Sequence, residues 1–328
     1  MKRYGCIFAG LMFSIGIIPS LSAQVFIQRP EVRQFIAEIA KEHNIDIKMA
    51  NLALGQISSS EEIIKRMNTQ YEALPWHKYR KLLINQQRIH GGRSFMKEYA
   101  TVLKKAETEY GVPAELIVAI IGIESTYGKI HGKYPVLQSL ATLAFDYPRR
   151  ADFFRNELKE YLLLVTEQGL DPLAIKGSYA GAMGMPQFIA SSYRKFAVDF
   201  DNSGTIDLMN NIPQVIGSVA NYFKVHGWET GKPVVHKAFP KNEKHKKLPI
   251  AVASEPKPTL SLITILQHDI TYPEISTPDI NVAWLEFEGE QNKEYWLGME
   301  NFYVITRYNR SSNYALAAHQ LGTAIAQE

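Results

Sequence analysis

Two short motifs in the middle of the sequence surround one glutamate whose position suits acid catalysis. The first motif runs from residue 122 to residue 128 and contains Glu124, and the second runs from residue 181 to residue 188. Glu124 ends an apolar run that starts at Pro113 and predicts a helix. Three apolar residues of this run share one helix face: Leu116, Ile120 and Ile123. The sequence therefore predicts a carboxyl group at the edge of the hydrophobic core.

A carboxyl group in this position is expected to keep its proton near neutral pH. Burial disfavours the charged form, and the negative end of the helix dipole acts in the same direction, so both raise the pKa of Glu124. A raised pKa is what general-acid catalysis requires of a carboxyl group. The alternative is an exposed glutamate at a helix end, with no catalytic role.

The residues of both motifs resemble the lytic murein transglycosylase B family. The resemblance is carried by Glu124-Ser125-x-x-Gly128 and by residues 178–188, which read Ser-Tyr-Ala-Gly-Ala-Met-Gly-x-x-Gln-Phe. It continues in three further segments: 147–154, 216–228 and 307–311. The similarity spans roughly residues 30 to 325.

The fold implied by the resemblance is mainly α (α+β), with a lysozyme-like catalytic core, a helical domain and a small β-rich insert. Helical patterning over 24–110 predicts the helical domain, with a helix start at 58–62, and the dense motifs place the catalytic domain at 111–230. One catalytic-domain helix is expected to stop at Gly169 and Pro172.

Residues 231–305 differ in composition from the segment before them, and this difference predicts the β-rich insert. Proline, lysine and histidine accumulate first, and the β-branched or alternating segments 260–266 and 281–288 then predict short strands. Residues 312–327 are alanine-rich and helical in pattern. The resemblance implies that residues 306–328 complete the helical domain.

No second carboxylate pairs convincingly with Glu124, although glycosidases commonly use two. Asp146, Asp152 and Asp171 are each explained as a cap, a surface charge or a turn residue. The resemblance implies that the substrate itself takes the part that a second carboxylate would otherwise play. Glu124 then protonates the bond between N-acetylmuramic acid and N-acetylglucosamine, and the acetamido group can assist. The same residue next takes the proton of the C6 hydroxyl, which closes on C1 to give a 1,6-anhydro sugar without consuming water.

Several polar and aromatic residues fall on family positions that line the substrate groove. Ser178 and Gln187 match the polar partners of the catalytic site, and the alternative is a glycine-rich turn before a helix. Flat amphipathic rings suit sugar faces, and the remaining matches are Tyr79, Tyr222, Tyr308, Asn309 and Tyr314. Taken alone, any one of the 17 tyrosines is more often a core or surface residue than a groove residue.

Two arginines and a phenylalanine extend these expectations toward the peptide stems. Arg149 and Arg150 resemble a pair that holds lactyl or peptide-stem carboxylates, and the alternative is a solvated helix start. Phe153 stands where relatives often have tyrosine, so it keeps the ring and loses one hydroxyl.

Residues 199–207 resemble the beginning of an EF-hand-like calcium loop that extends to residue 210. The expected ligands are Asp199, Asp201, Ser203, Thr205 and Asp207, with Gly204 at the sharp turn. Position 12 is Asn210 instead of a bidentate glutamate, and Gln214 aligns with a later aspartate of relatives after one inserted residue. A weak structural calcium site, a sodium site and a metal-free loop all remain open. The chemistry itself requires no cofactor.

Composition describes a globular chain with a balanced charge. Of the 328 residues, 46% are hydrophobic and 21% charged, which suffices for a sizeable core and more than one domain. The net charge of +3 falls to +1 without residues 1–23, which contain two basic and no acidic residues. A nucleic-acid partner is therefore not expected.

The first 23 residues read as a signal peptide. Lys2 and Arg3 precede an apolar stretch over residues 6–18, and small residues lead to Ala23, after which we expect cleavage. Cys6 is the single cysteine and precedes the apolar stretch, so it is badly placed for lipid modification. The expected protein is periplasmic and soluble, without disulfides or a stable membrane anchor, and monomeric.

The leading hypothesis is a lytic transglycosylase that acts on peptidoglycan glycan strands. A hydrolase (muramidase) using the same glutamate is the nearest alternative, and a catalytically silent wall-binding protein is another. Glu124, Ser178, Gln187 and Asn309 occur together, which argues against pure binding, since binding has no need of a buried acid. A metal-dependent enzyme is disfavoured because the nine histidines are scattered.

Overall fold

The computed structural model describes residues 21–43, 45–69, 74–272 and 280–327, with side chains from residue 25 onward. Cys6 and residues 1–20 of the predicted signal peptide lie outside the described residues. The chain divides into two compact units, one ending at Ser59 and the other beginning at Ser60. The predicted divisions after residues 110, 230 and 305 all fall in the second unit and stay predictions.

The first unit consists of short helices. These are α1 (Leu21–Gln28), α2 (Pro30–His43) and α3 (Ile47–Leu54). Pro30 and Glu31 open α2 and Lys41 and His43 close it, which matches the polarity of the helix dipole. The Asp46 carboxylate caps α3 by accepting a hydrogen bond from the backbone N–H of Lys48.

Helices also dominate the second unit. They are α4 (Glu61–Asn68), α5 (Trp76–Leu83), α6 (Gln86–Glu98), α7 (Ala100–Tyr110), α8 (Ala114–Ser125), α9 (Val136–Asp146), α10 (Ala151–Gln168), α11 (Ala190–Phe196), α12 (Ile212–Val225), α13 (Leu262–Leu266), α14 (Glu300–Tyr308) and α15 (Ser312–Ala326). Short 3-10 turns occupy Pro148–Arg150 and Glu243–Lys247.

Several helix boundaries follow local sequence signals. Ser60 caps α4, which confirms the predicted start there, and Gly169 ends α10 in the left-handed conformation at φ 62°. The predicted C-terminal helix is confirmed as α15, which packs against α5, α6, α8 and α14. Pro113 stands directly before α8, as the apolar run predicts.

Helix α8 forms the centre of the second unit. Its residues from Leu116 to Gly122 are all buried, so the helix is covered on every side and not along one face only. Helices α6, α7, α12 and α15 pack around it. The helix therefore delivers its last turn, including Glu124, from a rigid and fully packed element.

The strands form two small antiparallel sheets. Strand β1 (Tyr134–Pro135) pairs with β2 (Lys176–Gly177) near the catalytic motifs. The larger sheet has the order β4-β6-β7-β3-β5, formed by β3 (Val235–Pro240), β4 (Leu260–Ser261), β5 (Ile270–Thr271), β6 (Asn281–Glu288) and β7 (Lys293–Gly298). Trp284 on β6 lies opposite Leu297 on β7, and both side chains are buried in the core beside this sheet.

The fold class is confirmed as mainly helical with a small antiparallel β insert. The strand predicted over 281–288 is confirmed as β6. The strand predicted over 260–266 is wrong beyond Ser261, because the Ser261 hydroxyl accepts a hydrogen bond from the Thr264 N–H and starts helix α13. Short apolar runs fit either element, and the cap decides this one.

Among the described residues, no helix combines the length and the apolar character that crossing a membrane requires.

Candidate active site

Glu124 lies in the last turn of α8, where the chain leaves the helix in an unusual conformation. Thr126, Tyr127 and Gly128 follow it with φ values of 51°, 59° and 82°, all in the left-handed region. The Ser125 hydroxyl accepts a hydrogen bond from the Gly128 N–H at 3.0 Å and donates to the Ile121 carbonyl at 3.2 Å. These contacts hold the turn and fix the direction in which the Glu124 side chain leaves the helix.

Tyr127 explains the glycine that begins the first motif. Its ring packs against Gly122, where an added Cβ would lie 2.5 Å from the Tyr127 hydroxyl oxygen. That hydroxyl donates to the Arg88 carbonyl at 2.6 Å, and the Arg88 Nε donates to the Gly122 carbonyl at 3.3 Å. Sequence reasoning did not single out Tyr127 or Arg88 as supports of the site, and only the glycine spacing hinted at them.

A tyrosine far along the chain holds the Glu124 carboxyl group. Tyr314, in the first turn of α15, donates its hydroxyl proton to Glu124 Oε1 at 2.6 Å. Ser311 caps α15 by accepting a hydrogen bond from the Tyr314 N–H, so the cap sets the position of this tyrosine. Tyr314 therefore engages Oε1 and leaves Oε2 as the oxygen that can carry the proton of a neutral Glu124.

The surroundings of Glu124 favour its neutral form. Burial raises its pKa from the ordinary 4.5 to about 7, although the hydrogen bond from Tyr314 acts in the opposite direction. Burial and the negative charge of Glu124 hold the pKa values of Tyr308 and Tyr314 well above 10. Both phenols therefore stay neutral near pH 7.

Tyr308 and Tyr79 extend the cluster of tyrosines around Tyr314. The Tyr308 ring stacks on Tyr314 with centroids 6.4 Å apart, and its hydroxyl donates to the Pro186 carbonyl at 2.6 Å. Tyr79 is close enough to Tyr314 to contribute to the raised pKa of that phenol. Two of the predicted groove tyrosines, Tyr308 on α14 and Tyr314 on α15, therefore lie close to Glu124, and Tyr79 on α5 lies close to Tyr314.

Within the described residues, no other carboxylate contributes to the pKa of Glu124. Asp152 is exposed and pairs with Arg155, and Asp171 caps a turn by accepting a hydrogen bond from the Leu173 N–H. Glu157 is buried, but both of its oxygens accept hydrogen bonds from Ser191 at the start of α11, which gives it a structural role. Each of these three carboxylates therefore has a partner other than Glu124.

The second motif folds into a tight turn that contacts the first. Gly128 approaches Met185 so closely that an added Cβ would lie 3.0 Å from the Met185 sulfur. The Ser178 hydroxyl accepts hydrogen bonds from the N–H groups of Ala180 and Ala182, which leaves its own proton available to a ligand. Ser178 is thus bonded to the second motif, and the second motif contacts the first.

Gln187 occupies the left-handed region at φ 50°, which marks it as a constrained residue. Its amide nitrogen donates to the carbonyls of Gly184 at 2.9 Å and His131 at 3.4 Å. Neither contact uses the amide oxygen, so that atom can accept a hydrogen bond from a sugar hydroxyl or amide.

The predicted groove residue Tyr222 lies in the aromatic cluster next to Tyr308. Its ring is 7% exposed and packs against Phe188, Phe196 and Tyr308, and its hydroxyl donates to the Arg307 carbonyl at 2.6 Å. The Tyr222 ring therefore packs against the Tyr308 ring and helps to hold it in place. Asn309 is half-buried at the end of α14, directly after Tyr308.

The arginine pair lies on the surface at the start of α10. Arg149 and Arg150 are both exposed in the 3-10 turn, and the Arg150 guanidinium lies 4.2 Å from the Phe153 ring centroid. Phe153 is 37% exposed, so the cation and the ring form a surface patch. Such a patch can bind a carboxylate through its guanidinium groups.

The side chains of the loop between α11 and α12 are not arranged to bind a cation. The Gln214 amide nitrogen lies among the oxygens that would hold a metal ion, at 2.9 Å from Asp201 Oδ1 and 2.8 Å from Ser203 Oγ. The Asp207 carboxylate turns away and accepts hydrogen bonds from Met209 and Asn210. Throughout the part of the chain that is described, no three His, Cys, Asp or Glu side chains form a group that could hold a metal ion.

Comparison with known proteins gives one consistent relationship. The profile of the family described as transglycosylase SLT domain matches residues 27–323. The chain is similar to membrane-bound lytic murein transglycosylase B of Escherichia coli (strain K12), with 37% identity over 311 residues, covering 92% of this chain and 84% of the relative.

Solved structures agree with the sequence comparison. Soluble lytic transglycosylase SltB1 from Pseudomonas aeruginosa superposes with a TM-score of 0.86 at 43% identity, covering 91% of this chain and 99% of the relative. Escherichia coli Slt35, solved in complex with calcium, gives a TM-score of 0.84 at 38% identity, covering 92% and 94%. The same Slt35 has also been solved in complex with bulgecin A.

Proposed function

The chain belongs to the transglycosylase SLT domain family and is a lytic murein transglycosylase that acts on peptidoglycan, and we propose that Glu124 alone supplies its acid and base. The observation that carries this proposal is the hydrogen bond between Tyr314 and a part-buried Glu124 whose pKa is raised to about 7. The bond that breaks joins N-acetylmuramic acid to N-acetylglucosamine.

In the first half of the reaction, Glu124 acts as the general acid. The proton on Oε2 moves to the departing oxygen of N-acetylglucosamine as the bond from that oxygen to the muramic C1 breaks. Tyr314 stays hydrogen-bonded to Oε1 and stabilises the carboxylate that forms. The acetamido group of the muramic residue can assist the positive centre at C1.

In the second half, the same carboxylate acts as the base. It takes the proton of the muramic C6 hydroxyl while the C6 oxygen forms a bond to C1, and this returns the proton to Glu124. The product is a 1,6-anhydro-muramic end, and atoms balance without water. A hydrolase would use the same carboxylate to activate water instead of the C6 hydroxyl, so the products distinguish the two reactions.

The residues around Glu124 are proposed to hold the glycan. Ser178 and Gln187 offer a free hydroxyl proton and an amide oxygen to the sugar's polar groups, as their existing contacts leave those atoms available. Tyr79, Tyr308, Asn309 and Tyr314 are proposed to line the groove. Tyr222 acts through Tyr308.

The surface patch of Arg149, Arg150 and Phe153 is proposed to bind carboxylates of the lactyl group or the stem peptide. Arg150 already lies over the Phe153 ring, which orients its guanidinium without using the hydrogen-bond donors that a carboxylate needs. We further propose a monomer that works in the periplasm, where its substrate lies, and chemistry that needs no cofactor.

The experiment is mass spectrometry of purified sacculi digested with wild type and with Glu124→Gln. Wild type is expected to release muropeptides lighter by one water than hydrolysed counterparts, and the variant none. Reducing-end products from wild type would identify a muramidase instead. Absence of cleavage by the wild type would favour a wall-binding protein.

A further inference from the structure

The loop that resembles a calcium site is filled by a side chain of the protein itself. Gln214 lies in the first turn of α12 and is fully buried. Its amide nitrogen lies 3.2 Å from Asp199 Oδ1, 2.9 Å from Asp201 Oδ1, 2.8 Å from Ser203 Oγ and 2.6 Å from the Thr205 carbonyl. These are four of the oxygens that the calcium-loop pattern would direct at a cation.

The orientation of the Gln214 amide follows from its other contact. Its oxygen accepts a hydrogen bond from the Asp207 N–H at 2.5 Å. Turning the amide over would place its NH₂ group against that N–H and its oxygen against two carboxylates. Both ends would then face groups of like polarity, so the hydrogen-bond network permits one orientation only.

The aspartates of the loop are satisfied by N–H donors. Asp199 accepts hydrogen bonds from the N–H groups of Ser203 at 2.9 Å and Gly204 at 2.8 Å, and the Asn211 amide donates to Asp201 at 2.7 Å. Asn211 also caps α12 through the Gln214 N–H. The loop is thereby joined to the helix that follows it without an ion.

The remaining calcium positions are engaged elsewhere. Asp207, at position 9, accepts hydrogen bonds from the N–H groups of Met209 and Asn210 and from the Asn210 side-chain amide at 2.9 Å. Position 12 is therefore bonded to position 9 instead of facing the loop centre. A calcium ion needs six to eight oxygens at about 2.3–2.6 Å, whereas a nitrogen occupies the centre here.

We propose that the Gln214 carboxamide replaces the cation of this loop, so that the enzyme folds and keeps its loop closed without calcium. The two N–H bonds of the amide supply partial positive charge to four oxygens, which takes over the structural role of an ion. The relative Slt35, by contrast, was solved in complex with calcium. How the enzyme cleaves its substrate has no bearing on this property.

The first test is calcium binding by the unmodified protein. After treatment with EDTA, wild type is expected to show no binding heat in calorimetry with Ca²⁺ up to about 1 mM, the weak end of the range for extracellular modules. Its melting temperature is expected to be the same in EDTA and in calcium. Saturable binding in this range, or a calcium-dependent rise in melting temperature, would overturn the proposal.

The second test asks whether the amide is the cause. Gln214→Glu replaces the central nitrogen by a carboxylate oxygen of the same shape, so three carboxylates then face one another. We expect a lower melting temperature than wild type in EDTA and a rise on adding Ca²⁺, with a smaller response to Mg²⁺, which prefers a smaller octahedral site. If the variant ignores calcium, the amide is not what excludes the ion.

A matched control distinguishes the effect of the introduced carboxylate from the effect of losing the hydrogen bonds of Gln214. Gln214→Met keeps the length of the side chain and removes both its donors and its acceptor. Its melting temperature is expected to fall equally in EDTA and in calcium. An unchanged melting temperature would overturn the proposal, because the amide would then contribute nothing to closing the loop.

Discussion

Replacing Glu124 by glutamine is expected to stabilise the protein at high pH while it abolishes cleavage. Burial raises the pKa of Glu124 from 4.5 to about 7 in the folded protein. Between these two values the folded state holds a proton that the unfolded chain releases, so stability falls as pH rises. A difference of 2.5 pKa units corresponds to roughly 3 kcal/mol, fully lost above about pH 7. Glutamine does not titrate and avoids this loss.

The assay is urea unfolding of wild type and Glu124→Gln at pH 4 and pH 8. The difference in free energy of unfolding is expected to be near zero at pH 4 and to favour the variant by on the order of 3 kcal/mol at pH 8. The amide oxygen that the Glu124→Gln variant gains can still accept the hydrogen bond from Tyr314, so the packing is retained.

Glu62 provides the control, because it forms the same kind of hydrogen bond at the surface. The Tyr134 hydroxyl donates to Glu62 at 2.6 Å, and this contact lowers the pKa of Glu62. Stability from a lowered pKa is present above the ordinary pKa, so Glu62→Gln is expected to be less stable than wild type at pH 8. The reasoning is refuted if Glu124→Gln shows no advantage that grows with pH.

Three further substitutions test the site and its supports. Tyr314→Phe removes the hydrogen bond that lowers the pKa of Glu124, so the alkaline limb of kcat/KM on peptidoglycan is expected to move to higher pH by about one unit; an unmoved limb would contradict the assignment. Gly181→Ala places a Cβ 2.3 Å from Leu140 Cδ2 at φ 84°, so the free energy of unfolding in urea is expected to fall by about 1–3 kcal/mol; unchanged stability would speak against the tight turn. Tyr222→Phe loses the hydrogen bond to Arg307 and is expected to cost about 1 kcal/mol in unfolding without changing KM; a raised KM at unchanged stability would place this ring in the groove.

Features set by neighbours along the chain were predictable from sequence. Pro113 before α8, the Ser60 cap and the glycine that ends α10 are local signals, and each marks a helix boundary in the structure. The raised pKa of Glu124 was also predictable, because it follows from an apolar helix that ends at a carboxylate.

Features that depend on distant contacts were not predictable in the same way. Tyr314 lies 190 residues after Glu124, and no local pattern indicates that its hydroxyl reaches Oε1. Likewise, the sequence aligns Gln214 with a ligand position. The orientation of its amide, however, follows from the Asp207 N–H, which lies opposite the amide oxygen only in the folded loop. Tyr222 matched a groove position in sequence, but its packing against Phe188 and Phe196 depends on segments that only the folded chain brings together.

The central claim is that Glu124 acts first as acid and then as base, without water. The most direct test is digestion of sacculi by wild type in water enriched in the heavy oxygen isotope, followed by mass spectrometry of the muropeptides. The account predicts anhydro products that contain no heavy oxygen at C1. Muropeptides that carry the heavy isotope at a reducing end would contradict it.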